Sequence, residues 1–310
     1  MAAFKLSDKE SGRGPATERL VRGSGTILVF AIAALWFLPT LGAVVTSLRS
    51  QGQFSGWWSN LLEPSTWTLD AYRAALSSSA NNTFLEAIFN TLAIAVSATV
   101  IPVLVASWAA YALVWIPFKG NGVLIGSIVA LIAVPVYAIL IPLLQAYSTG
   151  AHLTLPIVDK TMTLFPDVGL AGTLPAVWLT HIGTSLPFSV FLITYAMARL
   201  PRSLVDNAHV DGASHMQIYW HVILPLSAPA LAALAVLLFV WSWNDFVIAL
   251  TMIGGGNPSA LPVTVRFGSF SAALGGPAVL AALLLHASVS IAVFFGLQRY
   301  FVRGLLAGIE

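Results

Sequence analysis

The chain has 310 residues, 58% of them hydrophobic and 8% charged, with a mean hydropathy of +0.87 and a formal net charge of +2. An average soluble domain carries roughly a quarter charged residues, so this composition excludes an ordinary soluble fold, and so small a basic excess cannot form a stripe that tracks nucleic-acid phosphates. The absence of cysteine rules out disulfides, thiolate metal sites and cysteine nucleophiles.

The first 22 residues are polar and mixed in charge, and residues 1–24 read as a cytoplasmic tail. An uncharged interval from Gly23 to Leu48 follows. It exceeds the roughly 20 residues a helix needs to cross about 30 Å of hydrocarbon, and no small-residue cleavage pattern follows, so an uncleaved anchor is expected. Comparable intervals predict six helical spans centred on residues 25–48, 86–113, 122–147, 174–198, 227–250 and 276–298. The fold class is therefore an all-α polytopic membrane protein, with residues 25–310 as one membrane domain. The segment from Arg49 to Leu85 holds Trp57, Trp58 and Trp67, which suit the membrane interface. Pro102, Pro135 and Pro142 predict kinks in the second and third spans. Gly122-x-x-x-Gly126 lets a neighbouring helix approach closely. Between spans five and six, Gly254-Gly255-Gly256-Asn257-Pro258 cannot continue a helix and predicts an adaptable turn.

Lysine and arginine set the orientation. With a cytoplasmic N-terminus, ten of the 14 fall inside and four, Arg49, Arg73, Lys160 and Arg266, fall outside. Both termini are thus predicted to be cytoplasmic.

Catalytic patterns fail one by one. A phosphate-binding loop needs glycine before its lysine, yet Asp159 precedes Lys160-Thr161, and neither His-Glu-x-x-His nor Gly-x-Ser-x-Gly occurs. His209, His215 and His221 recur every six residues, which scatters them around a helix rather than gathering them on a metal. No catalytic or metal residue is expected. His181 and His286 lie inside spans four and six, where ionisable groups tend to face a bundle interior or a watery path.

The most informative segment is a polar island, residues 199–225, between spans four and five. Pro201 suits the start of a short helix near Ser203, Gly212 a turn, and Ala213 to Val222 a second short amphipathic segment, with Pro225 and Pro229 opening span five. This predicts a helix–turn–helix knob at the inner surface.

In spacing, Asp206-Asn207-Ala208, Gly212, Val222 and Leu224-Pro225 resemble the loop of membrane subunits of binding-protein-dependent ABC importers, Glu-Ala-Ala, three residues, Gly, nine residues, Ile-x-Leu-Pro. Asp206 stands for Glu and Asn207 for Ala. The likeness extends over residues 25–310 and is similar to the maltose and α-glucoside branch in Phe89-Asn90-Thr91-Leu92, Ala109-Ala110-Tyr111-Ala112, Val210-Asp211-Gly212-Ala213-Ser214, Trp243-Asn244-Asp245-Phe246 and the terminal Gln298 to Gly308. A basic residue usual after the Tyr-Ala-Leu segment is replaced by Val114-Trp115, and Lys119 is expected to take its place at the inner edge.

That resemblance implies a type I ABC importer permease of a bacterial or archaeal cytoplasmic membrane. A second permease subunit, two ATP-binding subunits that hold ATP and Mg, and an extracytoplasmic solute-binding protein carrying carbohydrate would complete the machine. No cofactor would sit on this chain. The resemblance assigns contact with the ATPase to a coupling helix at Asp206, Asn207, Ala208, Asp211, Gly212, Leu224 and Pro225. It assigns contact with the binding protein to Gly254, Gly255, Gly256, Asn257 and Pro258. Trp241, Trp243, Asn244, Asp245 and His181 are the candidate path or gate residues, since aromatic faces, amides and carboxylates suit sugars. A secondary transporter or a polytopic membrane enzyme is the alternative. The first needs ionisable groups at the midplane and the second a catalytic cluster.

Overall fold

The computed structural model describes residues 15–49, 67–77, 84–155, 160–167, 169–254, 258–267 and 276–306. The chain divides into two compact units, Met1–Leu76 with Phe270–Leu285 and Glu310, and Ser77–Ser269 with His286–Ile309.

In the first unit, α1 (Pro15–Ser47) is apolar from Gly25 onward, and its side chains from residue 25 to 41 are exposed. Such a surface is unstable in water and at home among acyl chains. At its end the Thr46 and Ser47 hydroxyls donate to the carbonyls of Gly42 and Val44, and Ser47 meets the Tyr72 hydroxyl at 2.9 Å. Arg49 pairs with Trp67 in an isolated antiparallel bridge, its guanidinium 5.2 Å from the indole centroid. Thr68 then caps α2 (Asp70–Ser77) by accepting the Asp70 N–H.

The second unit is built around α3 (Phe84–Trp115), which packs along α6 (Leu174–Met197) and α9 (Leu224–Trp243). The reason is a stripe of small residues: Ala87, Thr91, Ala95, Ala98, Pro102, Ala106 and Ala110 recur every three or four positions and are all buried. Small side chains let helix backbones close on one another, which drives association where lipid removes the hydrophobic gain. At one end, Ala110 and Tyr111 join Ile193, Met197, Leu231 and Leu234 in a core. Towards the other, Ala176 and Val177 pack with α5 (Val136–Thr149) and α10 (Val247–Ile253).

Among the described residues, five helices are long and apolar enough to cross a membrane: 25–47, 84–115, 174–197, 215–243 and 276–296, the last within α12 (Gly276–Leu306). The predicted third span departs from a single helix. α4 (Asn121–Ile132) and α5 are bent by 96° across residues 133–135. Pro135 has no N–H to continue the ladder and pushes Val134 out of helical geometry, so the expected kink becomes a break. Counting this pair as one span restores six.

The all-α expectation also needs correction. β1 (Ala151–Leu155) and β2 (Lys160–Phe165) form an antiparallel hairpin after α5. In register, Thr154 opposes Thr161, His152 opposes Thr163, Leu153 opposes Met162 and Leu155 opposes Lys160. Gly150 (φ +75) opens the hairpin where a Cβ would lie 2.7 Å from the Phe165 carbonyl oxygen.

Span five was expected to run unbroken over 227–250. Instead α9 stops at Trp243, residues 244–246 are irregular, and α10 follows. Its beginning also differs: α8 (His215–Ile218) leads through a π-helical turn, Tyr219–Ile223, directly into α9. Pro225 cannot donate to the carbonyl four residues back, and the Leu224 N–H reaches Tyr219 instead.

Candidate functional site

Three places in the second unit gather polar or strained residues. The first is the knob between α6 and α9. α7 (Arg202–Val210) follows Pro201 and ends in a Schellman turn. Gly212, at φ +81, donates its N–H to His209 O at 3.0 Å, and Ala213 N–H reaches Ala208 O at 3.0 Å. Both alanines pack against the core beneath, while Asp206, Asn207, Asp211 and Gly212 face outward. On the other arm, Ser214 accepts from Gln217 N–H and Gln217 Oε1 accepts from Ser214 N–H, a reciprocal capping box that starts α8. Val205, Ile218 and Ile223 root the knob, and Val210, Met216 and Trp220 stay exposed at its surface. Leu224 is half-buried on the core and Pro225 is exposed.

α3 grips this knob. Tyr111 Oη donates to the His215 carbonyl at 3.0 Å and lies 3.2 Å from His215 Nδ1. Tyr111 meets the Tyr219 ring edge-on, and the Tyr219 hydroxyl is 2.8 Å from Ser107 Oγ. His209 stands edge-on to His215 with centroids 5.0 Å apart.

The second place is the far end of α3, about 30 Å away at 1.5 Å per residue from Tyr111 to Asn90. Asn90 Nδ2 donates to the carbonyls of Ser259 at 2.6 Å and Leu261 at 3.3 Å. Buried Thr91 accepts the Val263 N–H at 3.0 Å and passes its own proton to Ala87 O. One turn further, Glu86 lies 3.7 Å from Arg266 on α11 (263–267), a buried guanidinium whose pKa is lowered by burial, an effect that Glu86 opposes. The segment after α10 is thus pinned to α3 at three points.

The third place is a cavity of about 290 Å³ at the break between α9 and α10. Asn244 leaves helical geometry (φ −95°, ψ 6°), and its amide turns back to Val240 O. Asp245 accepts the N–H groups of Ile248 and Ala249 at 3.3 and 2.9 Å, starting α10. The same carboxylate is 3.5 Å from His181 Nε2 on α6, and both side chains are less than a tenth exposed. That Nε2 has no aligned hydrogen-bond partner among the described residues. Tyr137, Thr184, Ser185 and Trp241 complete the walls.

Residues 102–306 match the family described as "Binding-protein-dependent transport system inner membrane component". The chain belongs to this family. The permease is 40% identical over 289 residues to an osmoprotective compounds uptake permease protein of Synechocystis sp., covering 91% of this chain and 90% of that one. It is 41% identical over 249 residues to an alpha-glucoside transport system permease protein of Rhizobium meliloti, covering 79% of this chain and 60% of the relative. Its fold matches a crystal structure of a bacterial ABC transporter involved in import of the acidic polysaccharide alginate, with TM-score 0.72, 18% identity, and 94% and 100% of the two chains covered. Membership makes the permease a membrane component of a transport system, in keeping with its long apolar helices.

Of the candidate path residues, the fold brings His181, Asp245 and Trp241 to one cavity. Trp243 is elsewhere: it is buried, stacks on Phe239 and His286, and donates its indole N–H to His286 O at 3.1 Å. Asn244 is exposed beside the break. In the glycine loop, Gly254 ends α10 and Pro258 opens a 3₁₀ turn; Gly255, Gly256 and Asn257 lie outside the described residues. Lys119 is exposed just beyond α3. Tyr137, Thr184 and Ser185 were not singled out from sequence; only Pro135, two residues before Tyr137, signalled irregularity. His215 is exposed on the knob and held by Tyr111.

Tyr111→Phe removes the bond to the His215 carbonyl and keeps the ring packing. A loss of about 1 kcal/mol is expected in the local stability of the knob. Hydrogen exchange at residues 213–218 should quicken by roughly fivefold, with α6 amides unchanged.

Proposed function

We propose that this permease is one of two membrane subunits forming the translocation path of an ATP-driven carbohydrate importer. The substrate is an oligosaccharide or α-glucoside of disaccharide size. Two ATP-binding subunits, which hold ATP and Mg, lie against the knob at 199–225, and an extracytoplasmic binding protein delivers sugar to the loop at Gly254–Pro258. Residues 25–310 form six spans, with α4 and α5 together as the third. The tail at 1–24 and both termini are cytoplasmic. The knob end of α3 lies near Lys119, Arg199 and Arg202, which supports that orientation.

The observation that carries this reading is the Schellman turn of α7. It presents Asp206, Asn207 and Asp211 on an exposed, hydrogen-bonded tip, with Ala208 and Gly212 supplying the turn and Leu224 and Pro225 continuing it into α9. An element fastened to the bundle at Tyr111 converts a push from outside into movement of helices. The nucleotide-driven approach of two ATPase subunits would then bias an inward-open and outward-open equilibrium. The name of one relative, an alpha-glucoside transport system permease protein, supports an α-glucoside as cargo.

The test is uptake in proteoliposomes holding the permease with its second permease, ATPase and loaded binding protein, with labelled maltose, trehalose and sucrose. Accumulation that requires internal ATP is expected. Accumulation driven by an ion gradient without ATP would indicate a secondary transporter instead.

A further inference from the structure

We infer that this chain itself holds one neutral glycosyl ring in the cavity at the α9–α10 break, with Asp245 and His181 binding its hydroxyls and Trp241 facing the ring. The inference rests on the carbohydrate reading above and adds to it a contacting subunit, a set of groups and a charge preference.

The chemistry of the walls carries the argument. His181 Nε2 is buried and lacks an aligned partner, although it stands 3.5 Å from a carboxylate oxygen. Several buried side-chain atoms share that condition, but this one lines a cavity, beside a carboxylate, where an occupant can satisfy it. A hydroxyl does so, because it donates and accepts at once and can bridge imidazole and carboxylate. Asp245 keeps acceptor capacity beyond its two backbone bonds, since an ionised carboxylate offers about four lone-pair directions. The Thr184 hydroxyl donates to Thr180 O at 2.8 Å, which leaves its lone pairs to accept from a ligand. Beside this polar cluster, Trp241 and Tyr137 show 54% and 65% of their surface, large aromatic areas that can cover the C–H face of a pyranose.

Size and charge narrow the ligand. At about 290 Å³ the cavity sits at the lower edge of small-molecule sites, roughly 300–1,000 Å³, so it suits one ring of a longer sugar. Among the described residues, no lysine or arginine lines it, and Asp245 does. A uronate would bring a second carboxylate beside Asp245, with neither lysine nor arginine among the described lining residues to offset it, and like charges at such range disfavour ionisation of both. The site therefore accepts neutral rings and rejects acidic ones. Restricting access to rings that satisfy Asp245 and His181 also makes the helix break a checkpoint on cargo, because Asp245 is the group that starts α10.

The absence of native cysteine supplies the experiment. Thr184→Cys in the reconstituted importer is treated with a small neutral methanethiosulfonate reagent, and label on this chain is followed by mass; Ser185→Cys is the second reporter. The probes are maltose, trehalose, sucrose and glucuronate. A disaccharide that the complex imports should slow labelling about fivefold at roughly four times its Kd, the factor 1 + [L]/Kd. Glucuronate should leave the rate unchanged, and Asp245→Asn should let it protect. If an imported disaccharide leaves labelling of both reporters unchanged, the subsite is refuted while carbohydrate import stands. If glucuronate protects the parent as well as maltose does, the charge preference is refuted. Failure to import any of the disaccharides would instead strike at the function proposed above.

Discussion

Gly212→Val is expected to cut ATP turnover coupled to sugar import by about tenfold or more, while the protein still enters the membrane. The backbone there has φ +81, and an added Cβ would meet nothing within 4 Å, so the penalty comes from local backbone strain and not from a neighbour. For an ordinary residue the left-handed conformation costs about 1–2 kcal/mol, and a β-branched side chain tolerates it least. Relaxing that strain means giving up the Gly212–His209 and Ala213–Ala208 bonds, and with them the packing of both alanines. Each 1.4 kcal/mol is a factor of ten in the population of the correctly formed tip. The apolar spans do not depend on this turn, hence the expected insertion. Gly212→Asn separates the causes, because asparagine tolerates left-handed geometry. It should keep most of the activity if backbone conformation matters. ATPase assays with loaded binding protein decide: unimpaired coupling in the valine variant would remove the knob from the mechanism, and an asparagine variant as poor as valine would indicate a surface that must stay bare.

Local patterns in the sequence reveal the ends of elements well, and long-range partnerships poorly. The knob was legible because its rules are local: Pro201 ahead of a helix and Gly212 after one are readable within a dozen positions, while the capping box of Ser214 and Gln217 emerges only in the structure. The apolar intervals likewise located α1, α3, α6 and α12 from hydrocarbon thickness alone. The third span shows the limit. Pro135 signals a disturbance and breaks the ladder, but the local rule that a proline interrupts a helix does not set the size of the bend, 96°. The hairpin at 151–165 was hidden for a different reason. It is short, and its alternation of threonine with leucine and methionine lies between two stronger apolar signals.

The functional residues follow the same division. Asp245 and Trp241 attracted notice as polar and aromatic groups near a span end, yet their relation to His181 spans 64 positions in the chain and arises only from packing of α6 beside α9. Asn90 and Thr91 were visible as part of a motif without a mechanism. Their partners, Ser259, Leu261 and Val263, lie some 170 residues downstream and offer backbone atoms only, so no side-chain pattern could reveal them. Burial likewise changes the meaning of Arg266: counted by sequence as one outside charge, it is folded against Glu86.

The double substitution Asn90→Ala with Thr91→Val is expected to reduce stimulation of ATP turnover by the loaded binding protein at least fivefold, with turnover in its absence little changed. Valine nearly matches threonine in shape, so the packing of α3 survives, but the buried Val263 N–H loses its acceptor at about 1–3 kcal/mol. Alanine at 90 frees the carbonyls of Ser259 and Leu261, which are more readily solvated at the edge of the bundle. Together the changes detach the segment after the glycine loop from α3, leaving Glu86 and Arg266 as the remaining tie. The knob is gripped by Tyr111 near the other end of the same helix, so basal motion of that end should persist. A signal arriving at the loop would then reach a segment that no longer pulls on α3. Measuring ATP turnover with and without maltose-loaded binding protein distinguishes the outcomes: equal loss of both rates would indicate general destabilisation, and an undiminished ratio would show that the loop signals by a route other than α3.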